Sequence, residues 1–334
     1  MRVHLVVIAF LIAQHSALEA YHPTDYNDRL QVIAFGSCNR QNLPQPLWPV
    51  IASNAPDLWI WAGDNAYGDS KDPQVIANSY AEQLENADYQ KFNEKFPIIG
   101  TWDDHDYGWN NATRDYPIKH LTQQLALDFT GVPASDPRRQ REGIYGAYTF
   151  GPEGQSVKIL LLDGRYFATG KKVAQATLIG NKQKAWLAKE LKQSTAQIHL
   201  IVSGIQVLSE EHNYESWAKY PNDREWLLNL IGETNPSGVL FISGDRHIHE
   251  LSVLNEPRFD TPLLDATSSG LTHSWESFKG EPNQHRFGEV HKGLGFGLIT
   301  LDWSKNSCSI QVEIRNIENQ PVNQFTIEVP LSDT

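Results

Sequence analysis

Three short segments concentrate side chains that bind metal ions. Ser243-Gly244-Asp245-Arg246-His247-Ile248-His249 follows the apolar run Val239-Leu240-Phe241-Ile242. Gly63-Asp64-Asn65-Ala66-Tyr67-Gly68-Asp69 follows Leu58-Trp59-Ile60-Trp61-Ala62, and Thr101-Trp102-Asp103-Asp104-His105-Asp106 follows Pro97-Ile98-Ile99-Gly100. Each apolar run reads as a buried strand, and open α/β sheets place their sites just beyond strand ends. Carboxylate, imidazole and phenol at three such ends point to one polynuclear metal centre.

The residue types narrow the chemistry. Asp64 and Tyr67 share a tight, Gly-bounded loop. A carboxylate can bridge two cations, and a phenolate beside a thiolate suits a redox-capable ion such as ferric iron. Cys38 supplies that thiolate: it follows the apolar run Val32-Ile33-Ala34-Phe35-Gly36, another strand-end position. Asp103, Asp104 and Asp106 repel one another unless a cation or a helix N-terminus neutralises them, and helix capping before Tyr107 is the competing reading. Asp245 and His247 alternate, so in an extended segment both face one side, with His249 there too or orienting a neighbour. Cys308, in an alternating strand pattern, reads as structural; a Cys38–Cys308 disulfide is the alternative for an exported chain.

The 334 residues suffice for one large α/β domain or two smaller ones, and 20% charged with 40% hydrophobic residues is a globular composition. A net charge of −12 argues against general nucleic-acid binding, because most of the surface repels a phosphate backbone. A metal site still attracts a single phosphate. The N-terminus resembles a Sec-type signal peptide over 1–20: Met1-Arg2, an apolar stretch to Ala13, then small residues around Ala17 and Ala20. The stretch is short for a membrane span. The expectation is a secreted or periplasmic mature chain, 21–334, with no membrane span; its oligomeric state is left open. Asn111-Ala112-Thr113 is a glycosylation sequon.

Strands and helices alternate along the chain. Strands are predicted at 31–35, 57–62, 96–100, 144–150, 157–163, 199–203 and 238–243, and helices at 48–53, 79–92, 119–128, 182–193 and 224–231. The last helix but one has amphipathic spacing at Ala185, Trp186, Leu187 and Leu191. After Glu250 the pattern is β-rich, with strands at 251–254, 297–303, 308–315 and 324–329. Sheets packed on sheets with helices outside fit this mixture.

The motifs resemble the alkaline phosphatase D (PhoD-like) branch of the calcineurin-like metallophosphoesterases. The matching pieces are Phe35-Gly36-Ser37-Cys38, Gly63-Asp64-x-x-Tyr67-Gly68-Asp69, Trp102-Asp103-Asp104-His105-Asp106, Leu162-Asp163-x-Arg165-Tyr166, Gln183-x-x-Trp186-Leu187-x-x-Glu190-Leu191 and Ser243-Gly244-Asp245-x-His247, in that order between about Gln31 and Leu251. Members of that branch often carry an additional N-terminal β domain and a twin-arginine signal, and neither pattern is present in this sequence.

The resemblance implies a four-layer α/β/β/α sandwich with a β-rich C-terminal part, and a dinuclear centre. It implies that Asp64 bridges both ions and that Cys38, Tyr67 and His247 hold the first, ferric one. Asp104 and Asp245 would hold the second, whose oxygen ligands suit calcium, with other divalent ions as alternatives. Gln206 falls where the superfamily has a His ligand. His105 would protonate the leaving group, and Arg40, Arg165 and His273 would contact the substrate. The implied activity is hydrolysis of phosphomonoesters or phosphodiesters of small molecules by a metal-bound hydroxide. The competing readings are a phospholipase- or nuclease-like phosphodiesterase on the same site, and a non-catalytic metal- or ligand-binding relative.

Overall fold

The computed structural model describes residues 20, 22–23, 26–304 and 306–331. The expected leader lies outside them except for Ala20, which is buried. No helix among the described residues is long and apolar enough to cross a membrane.

Among the described residues, thirteen strands form two sheets. The first sheet contains β1 (Val32–Gly36), β2 (Leu58–Ala62), β3 (Ile98–Thr101), β11 (Gly295–Trp303), β12 (Ser307–Asn316) and β13 (Pro321–Pro330), in the order β13-β12-β11-β1-β2-β3. The second contains β4 (Gly146–Phe150), β5 (Val157–Leu161), β6 (Ile198–Val202), β7 (Val239–Ser243), β8 (His249–Leu254), β9 (Leu263–Ser268) and β10 (Arg286–His291), in the order β10-β8-β9-β7-β6-β5-β4. Strands β1, β2 and β3 run parallel, as do β5, β6, β7 and β9.

Side-chain alternation explains why both sheets are covered twice. In β2, Leu58, Ile60 and Ala62 join Ile159, Leu200 and Ile242 of the other sheet in a shared core. The intervening Trp59 and Trp61 point the other way, against Trp48 of α1 (Leu47–Ala52) and Phe129 of α5 (Lys119–Phe129). That outer layer also holds α2 (Pro73–Glu85), α3 (Ala87–Asn93) and the short α4 (Asp104–Tyr107). On the far side, Ile201 and Phe241 pack against Leu187 of α6 (Gly180–Lys192) and Leu227 of α7 (Pro221–Thr234). A period of two in the strands and 3.6 in the helices thus yields helix, sheet, sheet, helix. This is the expected four-layer α/β/β/α architecture, and its last three strands make the C-terminal part β-rich.

Several boundaries differ from expectation. The helix predicted at 79–92 is two helices, because Asn86 adopts an extended conformation (φ −62°, ψ 121°) and its side chain caps the second by accepting from the N–H groups of Asp88 and Tyr89. The 243–249 segment is not extended: Asp245 and His247 lie in the left-handed region, with φ of 69° and 53°. Strands β9 and β10 were not expected. In β9 the buried Asp265 interrupts the apolar pattern, accepting from the N–H groups of Val207 and Leu208. Strand β10 is half-exposed and bulged.

His199 on β6 is enclosed, with Nδ1 donating to the Ser237 carbonyl (2.8 Å) and Nε2 accepting from Ser194 Oγ (2.7 Å). Burial pushes its pKa from 6.5 down to about 4, against the Ser237 carbonyl and with help from nearby Lys158. Between those values the unfolded chain holds the extra proton, so stability falls as pH drops from 6.5 to about 4. The loss is on the order of 3 kcal/mol. Denaturant titrations at stepped pH are expected to show that slope, and His199→Gln is expected to flatten it.

Candidate metal centre

The clustered side chains sit at the C-terminal ends of parallel strands from both sheets. Cys38 follows β1, Asp64 follows β2, Asp104 and His105 follow β3, and Asp245 and His247 follow β7. The two sheet edges meet there through a parallel bridge between Ser37 and Ser269. The approach is close enough that a Cβ on Gly244 would lie 2.4 Å from Ser37 Oγ. Cys38, Asp64, Asp69, Asp245 and His247 all have left-handed φ, between 45° and 69°. Such backbone is costly for non-glycine residues and clusters at functional sites.

Three groups of ligand atoms converge: Cys38 with Asp64 and His247; Asp64 with Asp104 and His105; and Asp103 with Asp104 and Asp245. Within each group the atoms lie within 4.8 Å of one another. Asp64 belongs to the first two. The Cys38 thiol and the Tyr67 hydroxyl both donate to its Oδ2, at 3.4 and 3.2 Å. Tyr67 Oη is also 3.3 Å from Nε2 of His247 and 3.3 Å from Nε2 of His273. His273 therefore sits among the first set of ligands, edge-on to Tyr67.

The electrostatics call for cations. Burial raises the Asp64 carboxyl well above its usual range, and Asp104, Asp103 and Asp106 add to the shift. Asp245 moves the same way, from burial and then from Asp103 and Asp104. Cys38 and Tyr67 are raised by burial and by Asp64. Asp104 goes down: burial is outweighed by Arg165, His105 and the Asn111 N–H, which bonds its Oδ2 at 2.5 Å. Its buried Oδ1 has no protein partner. An orphaned carboxylate oxygen within a ring of like charges fits a cation. The sulfur, phenol and imidazole around Asp64 fit a transition ion, and the oxygen-only group of Asp103, Asp104 and Asp245 fits a hard one.

The remaining expected site residues divide. His105 stacks on Tyr67 (centroids 4.2 Å apart), and its Nδ1 is 2.6 Å from Asp69 Oδ1. Burial alone would lower its pKa, but Asp69 and then Asp104 raise it. Arg40 is exposed, with its guanidinium 4.8 Å from the Tyr67 ring and no ion pair among the described residues. Arg165 does not reach the cavity. It is 1% exposed, its Nε and Nη2 donate to Asp103 (2.7 and 2.8 Å), and its Nη1 donates to Glu215 (2.7 Å). The Arg165 fork is thus committed to Asp103 and Glu215, and Arg165 is not among the residues that line the cavity. The Gln206 amide nitrogen donates to Glu250 (2.6 Å) and Thr267 (2.8 Å), while its buried Oε1, the atom that could meet an ion, has no protein partner. His249 is buried, with Nδ1 3.3 Å from Ser268 Oγ, outside the three groups. Cys38 and Cys308 are both free thiols.

Residues given no site role in the sequence reading complete the arrangement. Asp69 holds His105; Ser269 Oγ contacts the Cys38 sulfur (3.0 Å) and accepts from the His247 N–H (2.6 Å); Glu215 shares Arg165 with Asp103. Asp106 accepts from the N–H groups of Asp103 and Asn65, so it shapes the loop while Asp104 faces the cluster. Asp69 and Asp106 stand within quoted motifs; Ser269 and Glu215 depend on contacts distant in sequence. A cavity of about 370 Å³ opens over the cluster, lined at its floor by Asp64, His105, Asp245 and His247.

Comparison with known proteins agrees with this geometry. The profile of the PhoD-like phosphatase family matches residues 77–292. The chain belongs to that family. Alkaline phosphatase D of Bacillus subtilis (strain 168) is 24% identical over 211 residues, covering 52% of this chain and 35% of the relative. The chain thus spans about a third of that protein's length. A solved structure of PhoD superposes with a TM-score of 0.71 at 18% identity, covering 94% of this chain and 74% of that one. A dimetal phosphatase from Danio rerio gives 0.53 at 12% identity, covering 91% and 100%. GAP50, described as the anchor in the inner membrane complex of Plasmodium, gives 0.56 at 13% identity, covering 92% and 90%. These likenesses share the fold.

Removing the Arg165 charge alone leaves two buried carboxylates facing each other. Arg165→Met is expected to cost about 3–5 kcal/mol by chemical denaturation. The triple variant Arg165→Met, Asp103→Asn, Glu215→Gln is expected to recover much of that loss, because no unpaired charge remains.

Proposed function

We propose that this chain is an exported, metal-dependent phosphoesterase acting on phosphomonoesters or phosphodiesters of small molecules. The observation that carries the reading is the Asp64 carboxylate, shared between a thiol–phenol–imidazole set and a second group with Asp104 and the Asp69-held imidazole of His105. Cys38, Tyr67 and His247 with Asp64 would hold a ferric ion, and Asp64, Asp104 and Asp245 a calcium or similar divalent ion. Export rests on the leader-like 1–20 segment, followed by one catalytic domain over 21–334. When bound, the two ions supply Lewis acidity toward a phosphoryl oxygen and an activated water.

The protein's own residues do the rest. Asp69 takes Nδ1–H of His105, which leaves Nε2 as the ring nitrogen available to the cavity. The same carboxylate favours the imidazolium, so His105 carries a proton to give to the departing alkoxide. Asp103 is held off by Arg165, which keeps it from competing for the phosphate position. Arg40, free of an ion pair and beside Tyr67, is placed to meet a phosphate oxygen. A purely metal-binding relative has no need of the Asp69–His105 pair, so that reading is disfavoured. The net charge of −12 disfavours a nuclease.

Nitrophenyl monoester and diester hydrolysis before and after chelation tests the reading; activity untouched by metal removal would sink it. The metal-loaded protein is expected to show a visible charge-transfer band that Tyr67→Phe shifts or abolishes. Asp64→Ala is expected to lose metal and activity together. His105→Ala is expected to keep both metals and lose about 10²–10⁴ in rate on an alkyl ester. The loss with a nitrophenyl ester is expected to be smaller, because nitrophenolate leaves without a proton. Asp69→Asn is expected to fall between wild type and His105→Ala on the alkyl ester, with metal content unchanged.

A further inference from the structure

The cavity rim differs in kind from its floor. Tyr214 and Trp275 line the rim, and neither belongs to any of the hydrophobic core clusters. Tyr214 is 47% exposed. An aromatic ring that serves no core and sits beside a reactive centre invites a ligand explanation.

Both rings are held in place. The Trp275 N–H donates to the His247 carbonyl (2.6 Å), its indole Nε1 donates to Ser277 Oγ (3.0 Å), and its ring meets Phe278 edge-on at 5.1 Å. Tyr214 meets Trp275 edge-on at 5.3 Å. The buried Arg246 guanidinium covers one Tyr214 face, 4.3 Å from the centroid, and is itself fixed by an ion pair to half-buried Glu281. The pair is therefore tied at two points to the 245–247 loop, through the His247 carbonyl and through Arg246. With one face covered and one edge packed, the surface Tyr214 leaves open is an apolar ring at the cavity mouth. The cavity volume of about 370 Å³ is within the usual small-molecule range.

We propose that this rim is a leaving-group subsite for a flat, unsaturated ring, either a nucleobase or an aryl group. Tyr214 provides the stacking surface, and Trp275 and Arg246 hold it. The proposal rests on the phosphoesterase reading for its role, since the ring is attached to the scissile ester. A rigid aromatic face stacks on flat groups and gains little from a puckered or hydroxylated one.

Two substrate pairs test it on the metal-loaded protein. Adenosine 5′-monophosphate and ribose 5-phosphate share the scissile primary ester and differ by the base. Benzyl phosphate and cyclohexylmethyl phosphate are similar in size, and one ring is flat. In at least one pair, kcat/KM is expected to favour the flat partner by about tenfold or more, the usual scale of base–aromatic stacking. A preference in the first pair assigns a nucleobase, and one in the second alone assigns an aryl group. Tyr214→Ala is expected to bring the ratio close to one, and Tyr214→Phe to preserve it. Ratios near one in both wild-type pairs, or a ratio that Tyr214→Ala leaves intact, overturn the proposal while the phosphoesterase reading stands. Equilibrium binding of adenosine and of benzyl alcohol separates the converse case. Binding that Tyr214→Ala weakens, with no turnover of any ester, keeps the subsite and rejects the phosphoesterase reading. Neither binding nor turnover rejects both.

Discussion

Like-charge repulsion in a buried space is the constraint on which this structure turns. Asp64, Asp103 and Asp104 are each 1% exposed, Glu215 is 6% exposed, and Asp245 is half-buried beside them. At the low effective dielectric of a protein interior, carboxylates a few ångströms apart cannot all be ionised without compensation. One compensating charge is built into the chain. Arg165 is buried between Asp103 and Glu215, and its fork takes both oxygens of Asp103. That leaves Asp64, Asp104 and Asp245 to be balanced from outside, and the Asp104 oxygen without a protein partner faces that demand directly. A fold that buries this many carboxylates around one internal cation is arranged to take up more cations.

The same convergence is visible in the backbone. Ligand loops from two sheets must meet at one point, and each must turn sharply just past its strand. Left-handed φ at Cys38, Asp64, Asp245 and His247 makes those turns without glycine at the ligand positions, where a functional side chain is needed. Glycine appears beside them instead. A Cβ on Gly204 would stand 2.3 Å from Asp103 Oδ1, and one on Gly63, itself at φ 96°, would stand 2.6 Å from Asp103 Cβ. The local cost is carried by sheets whose facing sides are almost wholly apolar, as Ile33, Phe35, Ile60, Leu161, Val202 and Ile242 illustrate.

The features legible in the sequence were those encoded locally. The apolar runs before Cys38, Asp64, Asp103 and Asp245 marked β1, β2, β3 and β7, and the ligand types at their ends marked the metal centre. What escaped depends on partners far along the chain. Arg165 reads as an available cation until Asp103, 62 residues away, and Glu215, 50 residues away, are seen to occupy it. Gln206 is fixed through its amide nitrogen by Glu250 and Thr267, both far along the chain, and its Oε1 is left without a protein partner. The i, i+2 spacing of Asp245 and His247 suggests an extended segment, but two left-handed residues in alternation break it, and no sequence pattern announces that for Asp or His. Strand β9 was hidden because Asp265 is a buried anchor for two loop N–H groups within an otherwise apolar run.

Chemistry and selectivity are assigned to different parts of the fold. The ligands descend directly from strands of both sheets, so displacing any one of them strains the shared core. The rim is borne by the 209–216 and 269–278 segments, which lie outside regular secondary structure apart from the start of the second. The two rim rings are joined to the floor by the Trp275 N–H on the His247 carbonyl and by Arg246 beneath Tyr214. Both contacts end on the loop that also carries Asp245. Elsewhere the same segments touch the cluster directly, through Ser269 on the Cys38 sulfur and His273 on Tyr67. A change at Arg246 affects the rim and the candidate ligand loop at once, because its neighbours in sequence, Asp245 and His247, both face the cluster. That makes Arg246 the position where receiving a leaving group and holding the metal-binding loop are mechanically joined.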